Sequence, residues 1–403
     1  MNPKEIHQQI QSALAGGKTA IRGSLKLSPA GGDGDKVFPP TYEGGQYAKE
    51  QRLIDGNLEE TVLLDSVQSQ ANRMELALLE ARNNERIKIP LISVDFNEFP
   101  SVSCLEAPHR IYDAIFRDSY DGQTLFRQSE LGRTILNSTV QNAAGLLRYA
   151  PNILVFGGWD SHGERGGSGN KVPRALVSEI VGVNAVPGIR PTSRIDPLGI
   201  ELRAAEIYVS TDPEKRWTIT EEDAVLDKHG RPKKVGADGK PTEIGHSNIV
   251  PSWKNDRNEP NHGGVTIRYA LQTSVLSLPQ IRRLRFPDES GDSSVERDIA
   301  GRTLTVAYGL CSLVLQSEQG FDLRSRCLLV PQSEMMLEFV GRVLEDVQSF
   351  LISPDDVCEL LSIAADKAKE VGLAWETSEK MLQARPDLIE LVRRSRAPRA
   401  IGS

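Results

Sequence analysis

From Thr19 to Leu27 the chain alternates polar and apolar side chains, whereas Leu64, Val67, Ala71, Met74 and Leu78 recur at helical spacing. A change of period from two to 3.6 requires a strand followed by a helix that lies on it. Ile21, Leu25 and Leu27 share one strand face, and Arg22, Ser24 and Lys26 share the other. The helix is expected to start at Asn57, with Glu60 placed as in a capping box, and to end at Asn83-Asn84. Further helices are expected over 4–15, 129–149, 295–316 and 333–352, with two more between 355 and 395. Strands are expected over 86–95, 153–156, 176–183 and 265–278. Residues 210–262 are polar and punctuated by turn signals, the texture of a projecting insertion. The fold class is α+β, with an antiparallel sheet covered by helices.

Composition removes several functions. The 403 residues are 39% hydrophobic and 26% charged, enough for a packed core with large insertions. The net charge of −7 speaks against a freestanding basic nucleic-acid binder, so any nucleic acid must meet a local basic groove. With 10 Phe, 8 Tyr and 4 Trp, a platform rich in stacking aromatics is not evident. Cys104, Cys311, Cys327 and Cys358 are far apart and form no CxxC, which argues against zinc and fits a reducing cytoplasm. No apolar run reaches the roughly 18 residues of a membrane span, and the N-terminus lacks a signal-peptide core.

Enzyme motifs fail on inspection. Gly17-Lys18-Thr19 resembles the end of a phosphate loop, but Ser12 stands where the first glycine belongs, and the turn opens a strand. Asp160, Ser161 and His162 are chain neighbours, whereas a triad converges from separate elements. Asp33 and Asp35 lie in a glycine-rich loop without a third ligand. No metal or cofactor is called for.

The run from Gly157 to Lys171 is the most unusual in the chain. Its glycines allow backbone N–H groups to approach a phosphate. Trp159 offers a flat face for a base, and Arg165, Lys171 and Arg174 supply charge. Between 162 and 198 five basic residues, including Arg190 and Arg194, outnumber three acidic ones. In the long helix Gln68, Ser69, Gln70 and Asn72 are uncharged donors suited to phosphate and sugar contacts that fix position without reading bases. A polar face that packs on another subunit or meets solvent is the plainer account of the same residues.

Three segments carry a resemblance: Pro29 to Tyr42, Val62 to Arg73 with its Asp-Ser-Val-Gln-Ser-Gln-Ala-Asn-Arg run, and Leu154 to Gly163. Together they resemble the backbone subunit of type I-G CRISPR effector complexes (formerly I-U), a member of the repeat-associated mysterious protein (RAMP) superfamily. The resemblance implies an RNA-recognition-like, ferredoxin-like palm over 1–335, with insertions forming fingers and a thumb hairpin. Residues 210–262 are the candidate thumb, and 336–403 a C-terminal helical extension. It also implies a protein that polymerises along CRISPR RNA in a Cascade-like ribonucleoprotein for antiviral defence. Its partners would be the guide, further copies of itself, other effector subunits and, through the guide, target DNA. The expected RNA contacts are Arg22, Lys26, Ser69, Asn72, Arg73, Trp159, His162, Arg165, Lys171, Arg174, Arg190 and Arg194, with Trp253 and Lys254 near a thumb tip. Two alternatives stand beside this reading. Related type III backbone subunits cleave target RNA with an acidic residue in the loop after the first strand, which here would be Asp33 or Asp35. The other is a purely structural assembly protein.

Overall fold

A computed structural model describes residues 1–160, 170–254, 258, 260–288 and 290–396. The chain forms two compact units, one of Met1–Val186 with Thr266–Leu391 and one of Pro187–Val265 with Val392–Ser403. The second unit contains the expected insertion and begins 23 residues earlier than the sequence suggests, because 187–209 lack the apolar periodicity of the larger unit.

In the larger unit α1 (Pro3–Ala15) starts at Asn2, which exchanges hydrogen bonds with Glu5 in a capping box. β1 (Ala20–Pro29) is the expected strand: Ile21, Leu25 and Leu27 are buried, and Lys26 on the opposite face is exposed. β2 (Lys49–Ile54) and β3 (Asn57–Asp65) follow as a hairpin. The expected helix start at Asn57 is therefore wrong. Asp55 and Gly56 both adopt positive φ and make the two-residue turn that Asp-Gly favours, which commits residues 57–65 to a strand. The helix α2 (Val67–Asn83) starts instead at Ser66, whose hydroxyl accepts the Ser69 N–H at 3.2 Å.

Next come β4 (Leu176–Val183), β5 (Tyr269–Ser277), α3 (Val295–Glu318), β6 (Phe321–Asp322), β7 (Leu328–Pro331), β8 (Met336–Val340) and β9 (Val347–Phe350). These nine strands form one antiparallel sheet in the order β6-β7-β1-β5-β4-β3-β2. β7 pairs with β1 at residues 27–29, β8 pairs with β1 at residues 20–24, and β9 pairs with β8. β1, β4, β5 and β7, with α2 and α3, trace strand-helix-strand-strand-helix-strand, and the four strands lie in the order β7-β1-β5-β4.

α3 is the central helix. It is apolar and long enough to pass for a membrane span, contrary to the sequence expectation, but 94% of that stretch is buried inside the protein. Its buried polar residues are the uncharged Thr303, Thr305, Ser312 and Gln316 and the charged Asp298 and Arg302. α1, α2 and α4 (Pro354–Glu370) pack against it.

Other expectations need correction. Residues 333–352 are not helical: Leu337 and Phe339 alternate with Met336 and Glu338, the period of β8. The segment after 336 is not a separate helical extension either. β8 lies in the main sheet, and Lys380–Ala384 is the middle strand of a second, five-stranded sheet, parallel to Ile92–Phe96. Helical residues there are α4 and α5 (Pro386–Arg396). The expected strand over 86–95 shortens to Ile92–Phe96. The expected helix over 129–149 breaks into Glu130–Leu136 and Ala144–Tyr149, because Thr139 and Asn142 pair across a turn and Ala143 donates to the Arg285 carbonyl. Residues 153–156, expected as a strand, lie in one short buried helix, Asn152–Phe156, since an all-apolar run of four carries no period.

Candidate nucleic-acid interface

The glycine-rich run leaves the core as a hairpin. Gly157 ends the Asn152–Phe156 helix with φ of 77°, and a Cβ there would lie 2.9 Å from the Arg174 nitrogen. A Cβ on Gly158 would meet Ile153 and the Tyr112 ring at 2.7 and 2.8 Å. These glycines are thus packing requirements at the hairpin base. Gly158–Asp160 then pairs with Asn170–Val172, with Gly158 opposite Val172 and Trp159 opposite Lys171. Trp159 is 60% exposed and Lys171 is exposed, while Val172 and Asp160 turn inward. Asp160, 2% exposed, accepts two hydrogen bonds from Arg127, at 3.1 and 2.8 Å. His162 and Arg165 lie outside the described residues, as do all residues from 161 to 169.

Beneath the hairpin, Glu75 accepts from Arg110 at 2.7 and 2.8 Å and from Asn152 at 2.8 Å. Burial raises the Glu75 carboxyl above its ordinary value, with Arg110 and Asn152 pulling the other way. Arg174 is half-buried and donates from Nε to the Phe156 carbonyl at 3.0 Å. Burial, and then Arg110, lower its pKa. In this structure Arg174 supports the hairpin base, beside the exposed Trp159 and Lys171.

The polar helix face has a different explanation from the one expected. Asp65, fully buried at the end of β3, accepts from Ser69 at 2.8 Å, Gln70 at 2.7 Å, Arg73 at 3.0 Å and Arg324 at 3.3 Å. Arg73 also donates to the carbonyls of Asp322 and Leu323. Gln70 continues inward and accepts from Ser178 and Gln272, and Gln272 donates to Gln316. Ser69 and Arg73 are thereby half-buried and held by Asp65, and Asn72 alone of the three is exposed. Ser69, Gln70 and Arg73 belong to a network centred on buried Asp65 that locks α2 to the sheet, whereas Gln68 and Asn72 are exposed.

On the sheet face away from α3, Arg22 is paired with Glu338 at 2.6 Å, and Arg52 with Glu179 at 2.5 Å and Glu50 at 2.5 Å. The Lys26 ammonium lies over the Tyr269 ring, 4.7 Å from its centre. Here cations are matched by carboxylates or an aromatic face.

In the smaller unit Thr192–Arg194 pairs with Ile249–Ser252. Arg190 is exposed, and Arg194 lies 3.6 Å from Asp196. Backbone hydrogen bonds from Leu198 and then Ser247, with Arg194 beside it, hold the Asp196 carboxyl below the usual range. Trp253 is half exposed, and the Lys254 ammonium sits 5.0 Å from its ring centre and 2.9 Å from Asn258. Ile195, Leu198 and Val250 are exposed on this unit.

Asp33 and Asp35 are exposed in the turn after β1, and the Asp35 carboxylate accepts the Lys36 N–H at 2.9 Å. Among the described residues no group of three His, Cys, Asp or Glu side chains is placed to hold a metal ion. The sequence singles out neither Arg127 nor the role of Asp65 as the centre of the α2 network. Strand alternation through Gly158-Trp159-Asp160 carried a signal for an inward Asp160, but nothing in the sequence gave its partner.

No curated protein matches the chain. Among solved structures, the crystal structure of Thermofilum pendens Csc2 aligns at 12% identity over 95% of this chain and 77% of that one, with a TM-score of 0.26. Residues 21–187, which run from β1 through the glycine-rich hairpin to the end of the larger unit's first segment, match the family model described as CRISPR-associated protein GSU0053.

Proposed function

We propose that the chain is a CRISPR RNA-binding backbone subunit of a type I-G effector complex. On this reading copies polymerise along the guide as a filament in the cytoplasm, beside other effector subunits, and present the guide for pairing with target DNA. The subunit is non-catalytic. The observation that carries the reading is the match of residues 21–187 to a CRISPR-associated family.

The β1-α2-β4-β5-α3-β7 path with strand order β7-β1-β5-β4 is read as the ferredoxin-like palm, and Pro187–Val265 as the inserted thumb. The hairpin supplies the contact. An exposed indole opposite an exposed ammonium can stack on a base or sugar and neutralise the adjoining phosphate without reading sequence. Base pairing then supplies specificity, so an acidic subunit with one local cationic contact suffices when many copies share one strand.

Binding of several unrelated single-stranded RNAs across a salt series tests this. The expected result is steep weakening with salt and near-equal affinity for all sequences. A flat salt response, or a strong preference for one sequence, contradicts it.

A further inference from the structure

We infer that Arg127 is the positioning residue of the hairpin: its two-point hold on Asp160 keeps Trp159 presented to the RNA. The inference rests on the RNA-binding reading above. Its geometry is that of an isolated ribbon that needs an external anchor. Gly158–Asp160 and Asn170–Val172 are three residues each, and a two-stranded hairpin of that size is marginal by itself.

At the base the ribbon is tied by the Gly157 carbonyl, which accepts from Arg110 at 3.4 Å, and by buried Val172. At the loop end the tie is Asp160, held by both terminal nitrogens of Arg127. Successive strand side chains point to opposite faces, so an Asp160 fixed inward fixes Trp159 outward. Arg127 is itself rigidly placed. It lies in the Phe126–Gln128 turn, where Phe126 is buried, and Ser129 next to it caps the Glu130–Leu136 helix by accepting the Gly132 N–H at 3.0 Å. Arg127 is 23% exposed and its guanidinium is spent on a carboxylate, so it acts through Asp160 and adds no phosphate contact of its own.

Two measurements on Arg127→Ala test this. Hydrogen exchange of the RNA-free protein should speed up at residues 158–160 and 170–172 and stay unchanged in β1 and α3. Single-stranded RNA binding should weaken about tenfold, the scale of one lost stacking contact. Its salt slope should match wild type, whereas Lys171→Ala should lower the slope by about one. Arg127→Lys, which keeps the charge and loses the two-point hold, should show the same pattern more weakly and serves if the alanine variant does not fold. The exchanged pair, Arg127→Asp with Asp160→Arg, should restore affinity.

Unchanged hairpin exchange, or a salt slope reduced as in Lys171→Ala, overturns the inference. Faster hairpin exchange with wild-type RNA affinity also overturns it, and if Trp159→Ala and Lys171→Ala are equally silent, the RNA reading of the hairpin fails with it.

Discussion

Trp159 and Lys171 are cross-strand partners, facing each other in the register of the short hairpin and both open to solvent. Their chemistries separate in experiment. Trp159→Ala should weaken RNA binding by about 1–3 kcal/mol and leave the salt slope intact, because stacking releases no counterion. Lys171→Ala should instead lower the slope by about one. Filter binding across a salt series checks both, and identical slopes in the two variants would contradict the assignment.

The Asp65 network makes a stability prediction. Removing the carboxylate strands Arg73, Arg324, Ser69 and Gln70 around a buried site. Asp65→Ala should cost about 3–5 kcal/mol, the range for breaking a buried pair from one side. Asn72→Ala, on the exposed face of the same helix, should stay within about 0.5 kcal/mol. Urea unfolding of the two variants measures the contrast.

That network also shows where the sequence stops being legible. β1 follows from its alternation, β4 and the body of α3 from their apolar runs, and Trp159 and Lys171 stand out in a glycine-rich run. Ser69, Gln70 and Arg73 look like free donors on a helix, yet their partners arrive from elsewhere. Ser178 is 108 residues from Gln70 and Gln272 is 202. No local pattern reports such meetings. The start of α2 carries two competing signals: Asn57 suits a helix cap, whereas Asp55-Gly56 just before it is the stronger signal, for a hairpin. The strands after 333 were hidden because β8 and β9 are four or five residues long and alternate over too few positions to outweigh a helical pattern.

His7 predicts a pH response. Burial in α1 and, next, the charge of Lys367 lower its pKa from 6.5. The unfolded chain therefore takes a proton below about pH 6.5 that the folded state refuses. This contribution to stability is fully present above that pH and is lost as pH falls towards the depressed folded value. Urea midpoints should drop between about pH 7.5 and about pH 5.5, and His7→Gln should shrink the drop. An equal drop in both proteins would contradict the assignment.

The loop after β1 discriminates a backbone subunit from a ribonuclease. Asp33→Asn with Asp35→Asn should leave plasmid clearance intact in cells carrying the complete system. Stability should change by less than about 0.5 kcal/mol, since both side chains are exposed. Magnesium-dependent cleavage of complementary RNA by the wild-type complex, abolished in the double variant, would favour the ribonuclease.

Purification of the protein from cells with and without a CRISPR array tests the central claim most directly. The account predicts a raised ratio of absorbance at 260 to 280 nm, and RNA of uniform length that carries the array's repeat and spacers, only when the array is present. Nucleic-acid-free protein from both strains, or bound RNA of mixed length and origin in both, would contradict a guide-binding backbone subunit.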